Sequence, residues 1–210
     1  MNLVNQSVRL MNYTPDPLET IEMCGRICYK SEKTPAPEHI TKIRTEEFIR
    51  RLINRGHESV LEHVTFTFHL VTSRGVSHEL VRHRTGIAFS QESTRYCNYN
   101  RHMEFIIPNC KSIDMNDYIV DCQMVEDTYK DWIDKGISPQ FARTILTNGL
   151  KTEIFMTVNV RELRHILKLR LDKAAHPDMI QLMELLVEEL QAKCKDVYRV
   201  LFSDITEKEK

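Results

Sequence analysis

One segment of the chain, Val64 to Val71, alternates β-branched and aromatic residues, which is the pattern of a β-strand. A second strand is predicted at Lys151 to Val158, and Ser90–Tyr99 and Glu104–Ile107 are predicted as strand or extended loop. Helical patterns surround these segments at Leu18–Tyr29, Thr45–Arg55, Arg74–Arg84, Asp114–Lys135, Pro139–Leu146, Arg161–Leu171 and Pro177–Phe202. The chain is therefore predicted to be a mostly helical α+β protein with a mixed or antiparallel sheet, in one domain over residues 1–210.

Several residues mark predicted helix ends and turns. Thr45 is the predicted N-cap of its helix, and Gly56 is suited to the position just after that helix ends. Pro35 and Pro37 predict a turn before it, and Pro139 suits the first turn of a helix.

Charge and composition exclude several classes of protein. Lys and Arg number 29 and Asp and Glu 30, giving a net charge of −1, which argues against a surface built for nucleic acid or anionic membranes. No apolar run approaches the roughly 18 residues that span a bilayer. The N-terminus lacks the pattern of a signal peptide, so the six cysteines are predicted to be reduced thiols in a cytoplasmic protein.

The glycine and histidine patterns argue against two common kinds of site. None of the six glycines forms G-x-G-x-x-G, so a Rossmann-type dinucleotide fold is not predicted. His57 and His63 are six residues apart and would lie on different helix faces, so no metal site is predicted.

A cluster of cations, Arg82-His83-Arg84, stands near a second polar segment. Three such neighbours repel one another unless they are solvated or matched by an anion. The simple alternative is an exposed helix end, where cations suit the macrodipole. Ser93 and Arg95 alternate at strand spacing and would face one side beside Gln91, which suits a phosphate and a polar base or sugar.

A third polar segment begins at Asn159, a predicted N-cap with Glu162 at N3 in a variant of the capping box. On the helix that follows, one stripe holds Arg161, His165 and Lys168, and the opposite stripe holds Leu163, Ile166, Leu167 and Arg170. A charge on an apolar stripe is costly unless it is paired, so Arg170 has either a carboxylate partner or a functional role.

Together these segments resemble the flavin-dependent thymidylate synthase family, which is marked by Arg-His-Arg, seven residues, then Ser. Here the motif is Arg82-His83-Arg84 through Ser93-Thr94-Arg95-Tyr96, with eight residues between Arg84 and Ser93. The resemblance also takes in segments upstream and downstream, namely Gly56–Ser59, Glu62-His63, Ala142–Thr144, Thr157–Leu163, His165 and Leu169-Arg170.

The resemblance implies reductive methylation of dUMP to dTMP in a homotetramer with active sites between subunits. Methylenetetrahydrofolate would supply the carbon, and FAD reduced by NADPH would supply the hydride. It implies that FAD is held by Arg82, His83, Arg84, Gln91, Asn159, Val160, Arg161 and His165, with Ser59 from a neighbouring subunit. It implies that dUMP is bound by Glu79, Leu80, Val81, Arg82, Gln91, Ser93, Arg95 and Arg170, with Arg143 from another chain.

The chemistry of single residues is compatible with these roles. A guanidinium at Arg170 would stabilise the anion formed when uracil ionises at N3, and the start of its helix would offer donors to a pyrophosphate. Phosphate or base binding is favoured for Ser93 over a nucleophilic role, because no evident His base stands beside it, and no role is assigned to Cys97.

Two other functions remain open from the sequence. A flavin oxidoreductase without methyl transfer would keep FAD and NADPH but would not need a nucleotide site. A nucleic-acid-binding module would account for the basic excess in residues 74–101 and 161–173.

Overall fold

The computed structural model of the protein describes residues 1–31 and 38–206. Its strands are β1 (Asn2–Val4), β2 (Ser7–Tyr13), β3 (Thr65–Ser73), β4 (Ile87–Gln91), β5 (Glu104–Ile106) and β6 (Lys151–Asn159). Its α-helices are α1 (Pro17–Tyr29), α2 (Glu38–Asn54), α3 (Arg74–Leu80), α4 (Met115–Asp134), α5 (Pro139–Ala142), α6 (Val160–Arg170), α7 (Pro177–Lys193), α8 (Lys195–Leu201) and α9 (Ser203–Thr206). Two 3-10 helices span Glu58–His63 and Arg143–Ile145. The turn predicted at Pro35 and Pro37 lies outside the described residues.

The main sheet has four antiparallel strands in the order β2-β3-β6-β4, and β1 pairs in parallel with β5 in a second, two-stranded sheet. Alternation in β3 places Phe66, Phe68 and Leu70 on one buried face. Their cross-strand neighbours on β6 are the equally buried Val158, Met156 and Ile154. This matched burial sets the register, because a slip of one residue would turn every apolar side chain to the other face.

The main core lies between this face of the sheet and the helices that cover it. Leu163, Ile166 and Leu167 of α6 are fully buried there, as are Leu182 and Leu186 of α7. A smaller apolar cluster surrounds α4 and β5. The prediction of a mainly helical α+β fold with a mixed or antiparallel sheet is confirmed.

Four helices differ from those predicted. The helix predicted over Pro139–Leu146 is an α-helix only to Ala142 and continues as the 3-10 helix Arg143–Ile145. Thr45 is not an N-cap: α2 begins at Glu38, and the buried Thr45 hydroxyl donates to the Glu22 carboxylate at 2.6 Å. The helix predicted over Arg74–Arg84 ends at Leu80, where the chain tightens into a turn. The helix predicted over Pro177–Phe202 breaks at Cys194, whose backbone leaves the helical region at φ −144°.

Neither β1 nor β2 is predicted from the sequence. Each lies at the edge of its sheet and has one strand neighbour, and none of its residues is fully buried, so neither strand has the row of buried residues seen in β3. All six cysteines are free thiols, as predicted. No helix in the described part of the chain combines the length and apolar character needed to cross a membrane.

Candidate active site

Asn159 caps the start of α6, as the sequence predicts. Its Oδ1 accepts a hydrogen bond from the backbone N–H of Glu162 at 2.9 Å, and its own N–H donates to the Gly86 carbonyl at 2.8 Å. The N–H of Val160 donates to the Val64 carbonyl at 2.9 Å. Because these three N–H groups at the helix start are already used, side chains would have to supply most of the contacts to an anion bound here.

The Glu162 carboxylate does not complete the capping box. A full capping box returns this carboxylate to the N–H of the N-cap, but here Oε1 lies 2.9 Å from Nδ1 of His83. In the sequence, a Glu three residues after an N-cap predicts only a local capping role. Its contact with His83, 79 residues away, leaves no pattern in the sequence.

His83 is buried between Glu162 and Arg170. Arg170 Nε donates to His83 Nε2 at 3.2 Å, and since a guanidinium can only donate, this ring nitrogen carries no proton. The proton of the neutral ring is therefore on Nδ1, which donates to Glu162. Burial lowers the pKa of His83, and the charge of Arg170 lowers it further against the opposing effect of Glu162.

Arg170 projects from the apolar stripe of α6, as predicted, and its side chain is 18% exposed. Its Nη1 donates to Oε2 of Glu79 at 3.1 Å, and its Nη2 donates to the Glu79 carbonyl at 3.2 Å. With the bond from Nε to His83, three of its five N–H groups are used. The guanidinium is therefore held from two sides, and two of its N–H groups have no partner in the part of the chain that the structure describes.

The Arg-His-Arg turn presents its two arginines to solvent. Arg82 and Arg84 are exposed, and neither forms an ion pair within residues 1–31 and 38–206. Leu80 is fully buried in the core and Val81 packs against it, so these two predicted substrate-binding residues would contact a ligand mainly through their backbones.

Gln91 ends β4 and its side-chain amide is held by two hydroxyls. Nε2 donates to Ser77 Oγ at 2.8 Å and to Thr152 Oγ1 at 3.2 Å. The predicted strand spacing of Ser93 and Arg95 is wrong: the strand ends at Gln91, and the N–H of Cys97 bonds to the Ser93 carbonyl at 2.9 Å in a turn.

Glu92 explains why the chain turns at this point. Its Oε1 accepts a hydrogen bond from the Tyr99 hydroxyl at 2.6 Å, and its Oε2 accepts one from the N–H of Glu153 at 3.3 Å. These bonds bind the turn to the sheet. Arg95 is exposed on the turn, with its guanidinium carbon 5.3 Å from the centre of the Tyr96 ring.

A cleft of about 410 Å³ opens at the start of α6. It is lined by three of the predicted cofactor-binding residues, Asn159, Arg161 and His165, together with Glu162 and other residues. The 3-10 helix that carries Ser59 borders the cleft through Glu58 and Glu62. The structure thus gathers three of the nine predicted cofactor-binding residues at one cleft.

Arg161 already has carboxylate partners in the cleft. Its Nη1 is 2.6 Å from Glu62 Oε1 and its Nε is 3.6 Å from Glu58 Oε2, and its side chain is 52% exposed. Such an exposed pair is weak, so a stronger anion can replace the carboxylates.

Three side chains in this region could offer ligands to a divalent cation. One ligand atom from each of His83, Glu162 and His165 lies within 4.8 Å of the others. Both ring nitrogens of His83 already have hydrogen-bond partners, so a metal ion would have to displace one of them.

Arg143 lies apart from these residues, in the 3-10 helix after α5. It is exposed and forms no ion pair within the described part of the chain. A larger cavity of about 720 Å³ lies between α6, α7 and α9, but none of the predicted site residues lines it. We therefore place the candidate site at the cleft and the turn beside it.

Comparison with protein families matches residues 9–194 to the model described as "Thymidylate synthase complementing protein". A curated relative, the flavin-dependent thymidylate synthase of Pyrococcus furiosus, is 37% identical over 202 residues, covering 92% of this chain and 82% of the relative.

Two solved structures share the fold. A UMP/dUMP methylase, PolB, from Streptomyces cacaoi bound with 5-Br dUMP has a TM-score of 0.78, covering 95% of this chain and 96% of its own. Thymidylate synthase X from Helicobacter pylori with FAD and dUMP has a TM-score of 0.76, covering 95% of this chain and 99% of its own. Each is 21% identical in sequence to this chain, so the comparison establishes a common fold.

Proposed function

The chain belongs to the flavin-dependent thymidylate synthase family, and from that premise we propose that it converts dUMP to dTMP by reductive methylation. Methylenetetrahydrofolate is the proposed carbon donor, and NADPH the proposed reductant of a bound FAD. The observation that carries the proposal is that Arg170, held from two sides, is joined through His83 to Glu162, which lines the cleft at the start of α6.

The cleft residues fit a flavin dinucleotide by their chemistry. Arg161 offers a guanidinium that can leave its exposed carboxylate partners for a pyrophosphate, and Asn159 and His165 add polar groups beside it. The macrodipole of α6 favours an anion at its N-terminus. Arg82 and Arg84 are cations on the adjoining turn. When bound there, the flavin supplies the hydride.

Cations without carboxylate partners suit the phosphate of dUMP. Among the described residues, Arg82 and Arg95 have no ion pair, and both lie on the turns that follow α3 and β4. Phosphate is recognised well by such a guanidinium pair. We favour binding of the phosphate or base for Ser93 as well, since no histidine among the described side chains hydrogen-bonds its hydroxyl to act as a base.

Arg170 is the proposed catalytic residue. A permanent cation beside uracil N3 stabilises the anion that makes the ring a better nucleophile. The two N–H groups left free by Glu79 and His83 are available to the ring. The low exposure of this side chain strengthens the effect, because water screens it little.

A homotetramer with shared sites is proposed from two features. The cleft of about 410 Å³ is at the lower end of the range of ligand sites, about 300–1,000 Å³, so one chain encloses only part of a large ligand. Phe141, just before Arg143, and Val120 and Met124 on α4 expose large apolar side chains, which favour contact with another protein surface. Such an interface would bring Arg143, two residues after Phe141, to a neighbouring site, and Ser59 is proposed to reach one from the 3-10 helix beside the cleft.

The basic segment at residues 161–173 gives little support to nucleic-acid binding. Arg161, Arg164 and Arg170 each have a carboxylate partner, so half or more of the local positive charge is compensated.

The six free thiols support the proposed cytoplasmic location.

The experiment is an absorbance titration of the purified protein with FAD, then with dUMP, followed by assay of dTMP formed with methylenetetrahydrofolate and NADPH. We expect a bound flavin spectrum that dUMP perturbs saturably. A flavin spectrum indifferent to dUMP would favour an oxidoreductase without methyl transfer. Absence of flavin binding, with steeply salt-dependent DNA binding, would favour the nucleic-acid module.

Two arginines provide a matched test of the cleft. Arg161 and Arg199 are similarly exposed, at 52% and 47%, and each is 2.6 Å from a glutamate. Loss of a charged hydrogen bond is worth about 1.5–3 kcal/mol, so Arg161→Ala should weaken FAD binding about tenfold or more. Arg199→Ala should leave it unchanged. Equal FAD affinity in both variants would contradict the placing of the cofactor in this cleft.

A further inference from the structure

A continuous chain of hydrogen bonds joins Glu162 to Arg170 through His83. Glu162 Oε1 is 2.9 Å from His83 Nδ1, and Arg170 Nε is 3.2 Å from His83 Nε2. The His83 and Glu162 side chains are 5% and 13% exposed, so water competes little for these bonds. The three groups come from the turn after α3 and from the two ends of α6.

The direction of each bond in this chain is determined. The guanidinium of Arg170 has only donors, and so the bond to His83 exists only while Nε2 carries a lone pair. Glu162, as an acceptor, requires the proton on Nδ1. The carboxylate thus selects the one neutral tautomer that can accept from Arg170.

The alternative tautomer would disturb Arg170. A proton on His83 Nε2 would point an N–H group at the Nε–H of the guanidinium, and the bond would become a repulsion between donors. Arg170 would then be held from one side only, by the carboxylate and carbonyl of Glu79. A guanidinium held from one side rotates more freely, and its free N–H groups lose their direction.

We propose that Glu162 is a positioning residue: it fixes the tautomer of His83 and, through that ring, the orientation of the Arg170 guanidinium. The proposal rests on the proposed function for the role of Arg170 toward uracil. It assigns to Glu162 a role beyond its place in the first turn of α6.

The first test is direct observation of the ring proton by long-range ¹H–¹⁵N NMR on protein with ¹⁵N-labelled histidine, near pH 7.5. His83, one of nine histidines, is assigned by its absence in His83→Gln. We expect a protonated Nδ1 and a bare Nε2 in the wild-type protein and in Glu162→Gln, whose amide oxygen still accepts. In Glu162→Ala, we expect either a mixture of the two neutral tautomers of His83 or a ring with its proton on Nε2.

The second test is the rate of dTMP formation in the same two variants. Both variants remove the charge of Glu162, so any effect of that charge on the cofactor is common to them. Loss of orientation of a reacting group costs up to about 100-fold in rate, and we expect a loss of about 10- to 100-fold in kcat for Glu162→Ala. Glu162→Gln should recover most of the loss, and a thermal melt of each variant controls for folding.

The outcomes separate the positioning role from the proposed function. A wild-type His83 that carries its proton on Nε2, an unchanged tautomer in Glu162→Ala, or equal loss of rate in both variants would overturn the positioning role. If Arg170→Lys keeps full dTMP formation while the tautomer in Glu162→Ala shifts as expected, the proposed role of Arg170 fails, and the hydrogen-bond chain is still demonstrated.

Discussion

Gly86 offers the sharpest test of how the Arg-His-Arg turn is joined to α6. It has φ +66°, and a Cβ placed on it would lie 2.2 Å from Nδ2 and 2.7 Å from Cγ of Asn159. Gly86→Ala therefore carries two costs. The left-handed backbone costs about 1–2 kcal/mol for a residue with a Cβ. The displaced Asn159 side chain gives up its cap on Glu162, which is worth about 1 kcal/mol.

The sum is a loss of about 2–3 kcal/mol in the free energy of unfolding, or on the order of 4–12 °C in Tm for a chain of this size. Gly136→Ala is the matched control, because Gly136 has φ +86° and nothing within 4 Å of its added Cβ. It should show the backbone cost alone. Urea denaturation at fixed protein concentration measures both variants, and FAD binding should weaken only in Gly86→Ala.

A double-mutant cycle isolates the steric term. Asn159→Ala removes the cap and also the atoms that the new Cβ would meet, so the double variant Gly86→Ala/Asn159→Ala should be about as stable as Gly86→Ala alone. This non-additivity amounts to about 1 kcal/mol, within the range seen for residues in contact. Strict additivity, or a Gly86→Ala variant no less stable than Gly136→Ala, would refute the reasoning.

Three further predictions concern stability and are each checked by urea denaturation. Asp204→Asn should cost about 1.5–3 kcal/mol, because the Arg164 guanidinium is 3% exposed and loses its charged partner, while the 37% exposure of Asp204 lets water offset part of the loss; a cost below that of an ordinary surface substitution would contradict this. The free energy of unfolding should fall as pH drops below 6.5, because the pKa of His83 is lowered in the folded protein and the unfolded chain therefore binds this proton first. In His83→Gln, the free energy of unfolding should depend less steeply on pH over the same range, and an unchanged dependence would contradict this. Ser73→Ala should cost about 1 kcal/mol by removing the cap that accepts from the N–H of Val76, and an unchanged midpoint would argue against it.

Local periodicity was enough to predict the central strands and the face of α6. The alternation at Phe66 and Phe68 is visible in the sequence because one side of β3 is buried by the helices. The cap at Asn159 was also predictable, because its side chain accepts from the N–H of Glu162, only three residues away. Such features need no knowledge of distant segments.

Other features depend on contacts that no local pattern carries. Thr45 is a residue type typical of an N-cap, but its buried hydroxyl donates to Glu22 on another helix. The turn at Ser93 follows from bonds of Glu92 to Tyr99 and to the neighbouring strand, which the spacing of Ser93 and Arg95 does not reveal.

Arg164 and Arg170 show how far a charged residue on a buried helix face can be interpreted from sequence. Both belong to α6, but Arg164 is 3% exposed, and its two Nη groups are used by both carboxylate oxygens of Asp204 and by the Leu201 carbonyl. Arg170 donates twice to Glu79 and once to His83, and two of its N–H groups have no partner among the described residues. The cost of burying a charge explains why each has partners, and it does not separate them. What separates them is exposure: Arg164 also has N–H groups left over, but its unpartnered Nε is buried, whereas the Arg170 side chain is 18% exposed, so of the two Arg170 is better placed to fasten the fold and still bind a substrate.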